Sequence, residues 1–159
     1  VLRVDAARFP GSVSAIYDTL GGVLPVEVNT CADLGDVTAG AVAPAEWFLF
    51  GDEAAVAAKA AALDGVRREH PVYSAVLTDG RSVMKLEGAG APDVLSSLCP
   101  IDFRSETLTA GGCLRTIFGE TGAMIVQLDD KPTYRLVFDQ SYGAYAWRIL
   151  VDAINNISV

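Results

Sequence analysis

The spacing of apolar residues changes period along the chain, and those changes predict its elements. The last third is the clearest. Cys113–Phe118, residues 123–128 and residues 133–138 are short apolar runs, separated by Gly119-Glu120-Thr121-Gly122 and Asp129-Asp130-Lys131-Pro132. Short strands joined by turn-forming residues predict an antiparallel meander. A helix follows from about residue 141 to 155. Tyr142, Tyr145, Ile149, Ala153 and Ile157 form its apolar stripe, and Arg148 and Asp152 pair four residues apart on the other side.

The middle of the chain alternates with period two. Val72-Tyr73-Ser74-Ala75-Val76-Leu77, then Asp79-Gly80, then Ser82-Val83-Met84-Lys85-Leu86-Glu87 reads as a hairpin, because Asp-Gly tolerates the positive φ angles of a tight turn. Gly88-Ala89-Gly90-Ala91 leads into a helix with Pro92 in its first turn and Val94, Leu95 and Leu98 inward. That helix stops near Cys99, since Pro100 disfavours the helical conformation before it.

The first third is less patterned. Residues 12–20 predict a short helix ended by Gly21-Gly22, followed by an extended stretch, Leu24-Pro25-Val26-Glu27-Val28. Asp33, Gly35, Asp36 and Gly40 mark a loop, and Glu46-Trp47-Phe48-Leu49-Phe50 before Gly51 reads as a buried strand. Asp52 is placed to cap a helix over residues 53–63 through its side-chain oxygen, with Gly65 as a left-handed stop. Val56, Ala60 and Leu63 share one face of that helix and Lys59 lies on another. Strands and helices interleave without a regular strand–helix–strand crossover. The expected fold class is therefore α+β, a mostly antiparallel sheet with packed helices. At 159 residues, a single domain over 1–159 is expected, divisible into lobes 1–70 and 71–159.

Composition narrows the function classes. Hydrophobic residues are 51% and charged ones 20%, with a mean hydropathy of +0.33, which excludes disorder for most of the chain. No uninterrupted apolar run is long enough for a membrane-spanning helix, and no basic and apolar leader pattern opens the sequence. Twelve Lys+Arg against twenty Asp+Glu give −8, and the densest basic site is Arg67-Arg68. Nucleic acid and anionic membrane are excluded as partners on that charge. So apolar a chain with so few charges predicts a surface covered in an assembly.

Candidate chemistry is sparse. Cys31, Cys99 and Cys113 lack zinc-type spacing and read as reduced, partly buried thiols in a reducing compartment, which points to a cytoplasmic location. His70, the one histidine, sits in the charged connector Arg67-Arg68-Glu69-His70-Pro71 and reads as solvated. Gly88-Ala89-Gly90-Ala91-Pro92-Asp93 is the one glycine loop between strand and helix. Pro92 removes a donor and Asp93 places a negative charge where a phosphate would sit, so it reads as a tight connection. Asp102, with Arg104 beside it, is a candidate base or amine ligand, against the plainer role of capping its loop. Arg115, Thr116 and Arg135 are candidates to ring a carboxylate, against cross-strand pairing on the surface. No nucleophile stands with a base, so no catalytic, cofactor-binding or metal residue is assigned to this chain.

The residues do resemble a family. The order Leu24-Pro25-Val26-Glu27-Val28-Asn29-Thr30, Pro44-Ala45-Glu46-Trp47-Phe48-Leu49, Leu86-Glu87-Gly88, Val94-Leu95 and Leu98-Cys99-Pro100-Ile101-Asp102-Phe103 is similar to the gamma subunit of heterotetrameric sarcosine oxidase. Gly112, Arg115-Thr116, Asp139-Gln140-Ser141-Tyr142 and Ala146-Trp147 continue the resemblance. The family usually reads Gly-Pro-Asp-Glu-Trp where this chain has Ala43-Pro44-Ala45-Glu46-Trp47, and Arg-Ser at Gln140-Ser141.

The resemblance implies a fold similar to part of the folate-binding aminomethyltransferase (T-protein) fold of glycine cleavage. It implies a subunit with no cofactor of its own, inside a complex that oxidatively demethylates sarcosine or a related N-methyl amine to glycine. FAD, FMN, NAD, tetrahydrofolate and zinc would be carried by other subunits, with tetrahydrofolate accepting the one-carbon unit and oxygen reduced to peroxide. The implied partners are larger alpha and beta flavoprotein subunits and a small delta subunit. The alternative is a free-standing folate-binding or one-carbon-transfer protein, for which Asp102 or Glu46 would supply the carboxylate near the pterin.

Overall fold

The computed structural model describes residues 1–5, 8–105 and 108–157, and the chain divides into two units, Val1–Thr78 and Asp79–Val159. In the first unit β1 (Leu2–Val4), β2 (Cys31–Asp33), β3 (Val37–Ala43), β4 (Glu46–Gly51) and β5 (Val72–Ser74) form one sheet in the order β2-β3-β4-β1-β5, every pairing antiparallel. Helices α1 (Pro10–Leu20) and α2 (Glu53–Glu69) bring Ile16, Leu20, Leu63 and Val66 onto the inward residues Leu2, Val4, Ala39, Ala41 and Trp47. α1 ends as expected, at Gly21 in the left-handed region.

Several expectations are corrected here. The segment with Asp33, Gly35 and Gly40 is no plain loop: it holds the β2–β3 hairpin, with Gly40 inside β3 opposite Cys31. Alanine and glycine hide a strand whose partner supplies the order. Leu24 to Val28 joins no sheet. β4 is a strand as expected, but only Trp47 in it is fully buried, because an antiparallel sheet buries alternate residues. α2 runs straight through Gly65 to Glu69, since Val66 adds another inward residue beyond it, and the Asp52 side chain makes no capping bond. Lys59 lies toward α1, with its ammonium 2.6 Å from the Leu20 carbonyl.

The β3–β4 turn is Pro44-Ala45, and Ala45 takes φ 55°. That left-handed geometry is uncommon for a residue with a Cβ, and Asp tolerates it better than Ala.

The second unit is built on a four-stranded antiparallel sheet of β6 (Arg81–Glu87), β7 (Cys113–Phe118), β8 (Thr121–Gln127) and β9 (Thr133–Asp139), in the order β6-β9-β8-β7. β7, β8 and β9 are the expected meander. The predicted hairpin of residues 72–87 is wrong: β5 pairs with β1 in the first sheet and β6 with β9 in the second, with a short 3-10 turn at Thr78–Gly80 between them. Both alternating runs are strands, but period two identifies strands and not their partners.

Helices α3 (Ala91–Leu98) and α4 (Gly143–Ile157) cover one face of this sheet. Val94, Leu95, Ala146, Leu150 and Ala153 pack on Leu114, Phe118, Ile125, Leu136 and Phe138. The Phe118 and Phe138 rings meet edge-on, centroids 5.0 Å apart. The inward stripe of α4 is therefore rotated from the predicted one. Tyr142 falls in a 3-10 turn before the helix and is exposed, as is Ile157, while Gly143 approaches Ser82 where a Cβ would clash. Arg148 and Asp152 are both exposed, and no ion pair joins them.

Candidate functional site

Each residue singled out from the sequence can be followed to its partners. Asp102 stands in the loop after α3, where its Oδ1 accepts from the Arg104 amide at 3.1 Å, from Arg104 Nε at 2.7 Å and from Ser96 Oγ at 3.3 Å. Ser96 Oγ in turn accepts from the Phe103 amide at 2.8 Å. The Arg104 side-chain bond, foremost, holds the Asp102 carboxyl below the usual carboxylate range. A general base for neutral pH needs the opposite shift. The carboxylate caps its own loop.

Glu46, the other candidate carboxylate, lies on β4 and faces Arg3 Nε at 3.6 Å. Arg115 and Thr116 are adjacent on β7, so their side chains point to opposite faces of the sheet and cannot converge on one ligand. Arg115 lies opposite Met124 and Arg135 opposite Val126, with β8 between them. On its other side Arg135 stands opposite Lys85, whose ammonium pairs with Glu87 at 2.5 Å.

Part of the glycine loop's backbone is already hydrogen-bonded. Gly88 takes φ 117° and donates its amide to Pro132, Ala91 donates to Gly88, and Val94 donates to Gly90. Pro92 has no amide hydrogen and the Asp93 carboxylate stands in the first turn of α3, which disfavours a phosphate there.

Cys99 and Cys113 are buried, Cys31 is half-buried, and none of the three forms a disulfide. Burial pushes the Cys99 thiol up to about 12. Among the described residues no group of three or more His, Cys, Asp and Glu side chains stands close enough to hold a metal ion. Among the described residues no helix is long and apolar enough to cross a membrane.

His70 is not the solvated residue expected. It caps α2 and is half-buried, its Nδ1 3.5 Å from the Oγ of buried Ser12 on α1. A serine beside an imidazole has the elements of an activated nucleophile, but Ser12 Oγ is closed to solvent, so the pair ties α1 to the end of α2. On the outer side, His70 borders an open cleft of about 660 Å³, lined also by Arg3, Arg67, Pro44, Pro71 and Tyr73. The sequence signal for it was the Arg67-Arg68 pair. What no spacing revealed is that β1 brings Arg3 beside it.

Large apolar side chains are also held outward. In the first unit Val26 is 81% exposed, on a loop fixed by buried Leu24 and by the Trp47 Nε1 bond to the Pro25 carbonyl at 2.7 Å. In the second unit Trp147 on α4 is 59% exposed, with Tyr142 exposed just before the helix. Aromatic and aliphatic groups presented on a fixed backbone are the material of protein interfaces.

Residues 3–156 match the model of the sarcosine oxidase, gamma subunit family. The chain belongs to this family. The fold is also found among solved structures. One, the heterotetrameric sarcosine oxidase from Corynebacterium sp. U-96 in complex with pyrrole 2-carboxylate, matches with a TM-score of 0.82 and 23% identity. The match covers 99% of this chain and 79% of the other. No curated protein matches. The α+β expectation and the family resemblance read from the residues thus agree with the gamma-subunit family and with its fold.

Proposed function

We propose that this chain is a non-catalytic gamma subunit, acting as one module over 1–159, of a heterotetrameric sarcosine oxidase-like flavoenzyme. That complex oxidatively demethylates sarcosine or a related N-methyl amine to glycine, passing the one-carbon unit to tetrahydrofolate and reducing oxygen to peroxide. The observation that carries the reading is the family match along almost the whole chain.

The side chains support a structural role. Asp102 is consumed by its own loop and Ser12 is closed off. FAD, FMN, NAD, tetrahydrofolate and zinc are assigned to the other subunits, as the family resemblance implies. The partners are the larger alpha and beta subunits and the small delta subunit, and the compartment is the cytoplasm. The outward Val26 and Trp147 are the kind of surface such partners bury.

The test is to produce the other subunits with and without this chain and to measure sarcosine-dependent peroxide formation. Stable, active complex only when the chain is present is expected. Full activity and assembly without it, or tetrahydrofolate binding by the chain alone, would overturn the reading.

A further inference from the structure

We infer that the open edge of β6 pairs, about a two-fold axis at Met84, with the same edge of a second copy of this chain. The pairing goes beyond the subunit reading and does not rest on it.

The backbone is the first argument. β6 is an end strand of the second sheet and has seven residues, against three in each of β2 and β5, the end strands of the first. Its bonding direction follows from its last peptide. The Gly88 amide donates to the Pro132 carbonyl, so the Glu87 carbonyl in the same peptide points away from β9. Backbone groups alternate sides along a strand, which places those of Val83, Lys85 and Glu87 on the open edge. Among the described residues none of these three amides and carbonyls has a hydrogen-bond partner. The side chains of the same three residues are exposed, Val83 by 58%.

Register and charge are the second argument. Antiparallel pairing centred on Met84 sets Val83 opposite Lys85 of the second copy, and Arg81 opposite its Glu87. These positions carry the outward backbone groups, so each pair is of the hydrogen-bonded kind. Opposite charges directly across a strand pair attract, and the two-fold makes the Arg81–Glu87 contact twice. Neighbouring registers are rejected. Centred on Lys85, the pairing sets Lys85 against Lys85; centred on Val83, it sets Arg81 against Lys85. Lysine on an edge guards against indiscriminate pairing, and here it excludes the wrong registers.

The charges already in place leave room for this. Arg81 meets Asp139 at 3.1 Å and Lys85 meets Glu87 at 2.5 Å, both on the surface, where such pairs hold weakly. With Arg135, which stands opposite Lys85 on β9, each edge brings three cations and two carboxylates. In a chain of net charge −8, two copies repel little at such a place. Strand pairing alone buries little apolar surface, so the dimer is weak, half formed at about 10–100 μM.

The experiment follows the full chain by sedimentation equilibrium over a concentration series. Wild type is expected to pass from monomer to dimer. Arg81→Glu alone and Glu87→Arg alone each weaken the dimer about tenfold, because each sets like charges opposite one another twice. Mixed in equal amounts, the two variants associate within about threefold of wild type. The introduced glutamate then meets the introduced arginine, and the native pair meets as before. Lys85→Pro removes an amide hydrogen that serves no bond within the chain, so it keeps the fold by circular dichroism and abolishes the dimer. Should that variant not fold, the mixing experiment decides alone. A wild type that is monomeric at every concentration overturns the pairing, as does a mixture no tighter than its components. A dimer kept by folded Lys85→Pro also overturns it, by placing the contact elsewhere. A monomeric wild type whose Lys85→Pro variant loses the other subunits gives the edge to one of them, and overturns the second copy as its occupant. The subunit reading survives each of these results, since assembly with the other subunits tests it separately.

Discussion

Lys59 on α2 donates from its ammonium to the main-chain carbonyl of Leu20, the last residue of α1, at 2.6 Å. The carbonyls at a helix C-terminus lack helical partners and carry partial negative charge, so a part-buried cation there does two things at once. It satisfies an orphan acceptor and fastens α1 to α2. Lys59→Met keeps the apolar stem and removes the donor. Urea unfolding of that variant is expected to show a loss of about 1–2 kcal/mol, with Lys59→Arg recovering part of it. A variant as stable as wild type would contradict this role for the bond.

The two tryptophans divide structure from function. Trp47 is 4% exposed and bonded to Pro25, while Trp147 is 59% exposed on α4. Trp47→Ala is expected to cost about 3–5 kcal/mol, as core deletions of an aromatic do. Trp147→Ala should change stability by less than about 0.5 kcal/mol, yet weaken retention of partner subunits. Acrylamide quenching checks the assignment: Trp147 emission is quenched in the separate chain and protected in the complex.

The resemblance and the elements were legible for different reasons. The meander, α1 and α3 announced themselves because glycine, proline and alternation act within a few residues. The β2–β3 hairpin did not, because Ala39, Gly40 and Ala41 carry no strand preference and are ordered by the strands beside them. The pairing of β5 with β1 joins residues about 70 apart, which no local pattern encodes. Gly65 misled because burial of the next residue, Val66, outweighs the glycine's modest helix penalty. At the candidate site, Asp102 was readable as a loop cap from Asp102-Phe103-Arg104 alone. The cleft was not readable, because it depends on the long-range placement of Arg3.

Cys99 supplies a chemical check on burial. With its thiol pushed up to about 12 by desolvation, only about one molecule in 10⁴ is thiolate at pH 8. A thiol-exchange reagent at that pH should modify half-buried Cys31 at least a hundredfold faster than Cys99 or Cys113. Peptide mapping that finds Cys99 labelled first would contradict the placement of α3.

Asp139 gives a pH dependence with a definite sign. Its Oδ1 accepts from Ser141 Oγ at 2.7 Å and from the Ser141 amide at 3.1 Å, and these bonds, foremost, hold its carboxyl below the usual range. A depressed carboxylate stabilises the fold above its unfolded value, near pH 4, and that contribution fades as pH falls through the folded value. Wild type should therefore exceed Asp139→Asn in thermal stability at pH 7, with the gap closing below about pH 4. A gap that stays constant from pH 7 to pH 3 would mean that the ionised carboxylate contributes nothing.

The central claim is that this chain works inside a flavoenzyme complex. Native mass and visible absorbance of the chain, purified gently from its own cell, test that most directly. The account predicts one large species that contains bigger subunits in fixed ratio and shows a flavin spectrum bleached by sarcosine or a related N-methyl amine. A colourless species with the mass of this single chain, stable by itself and unaccompanied, would contradict it.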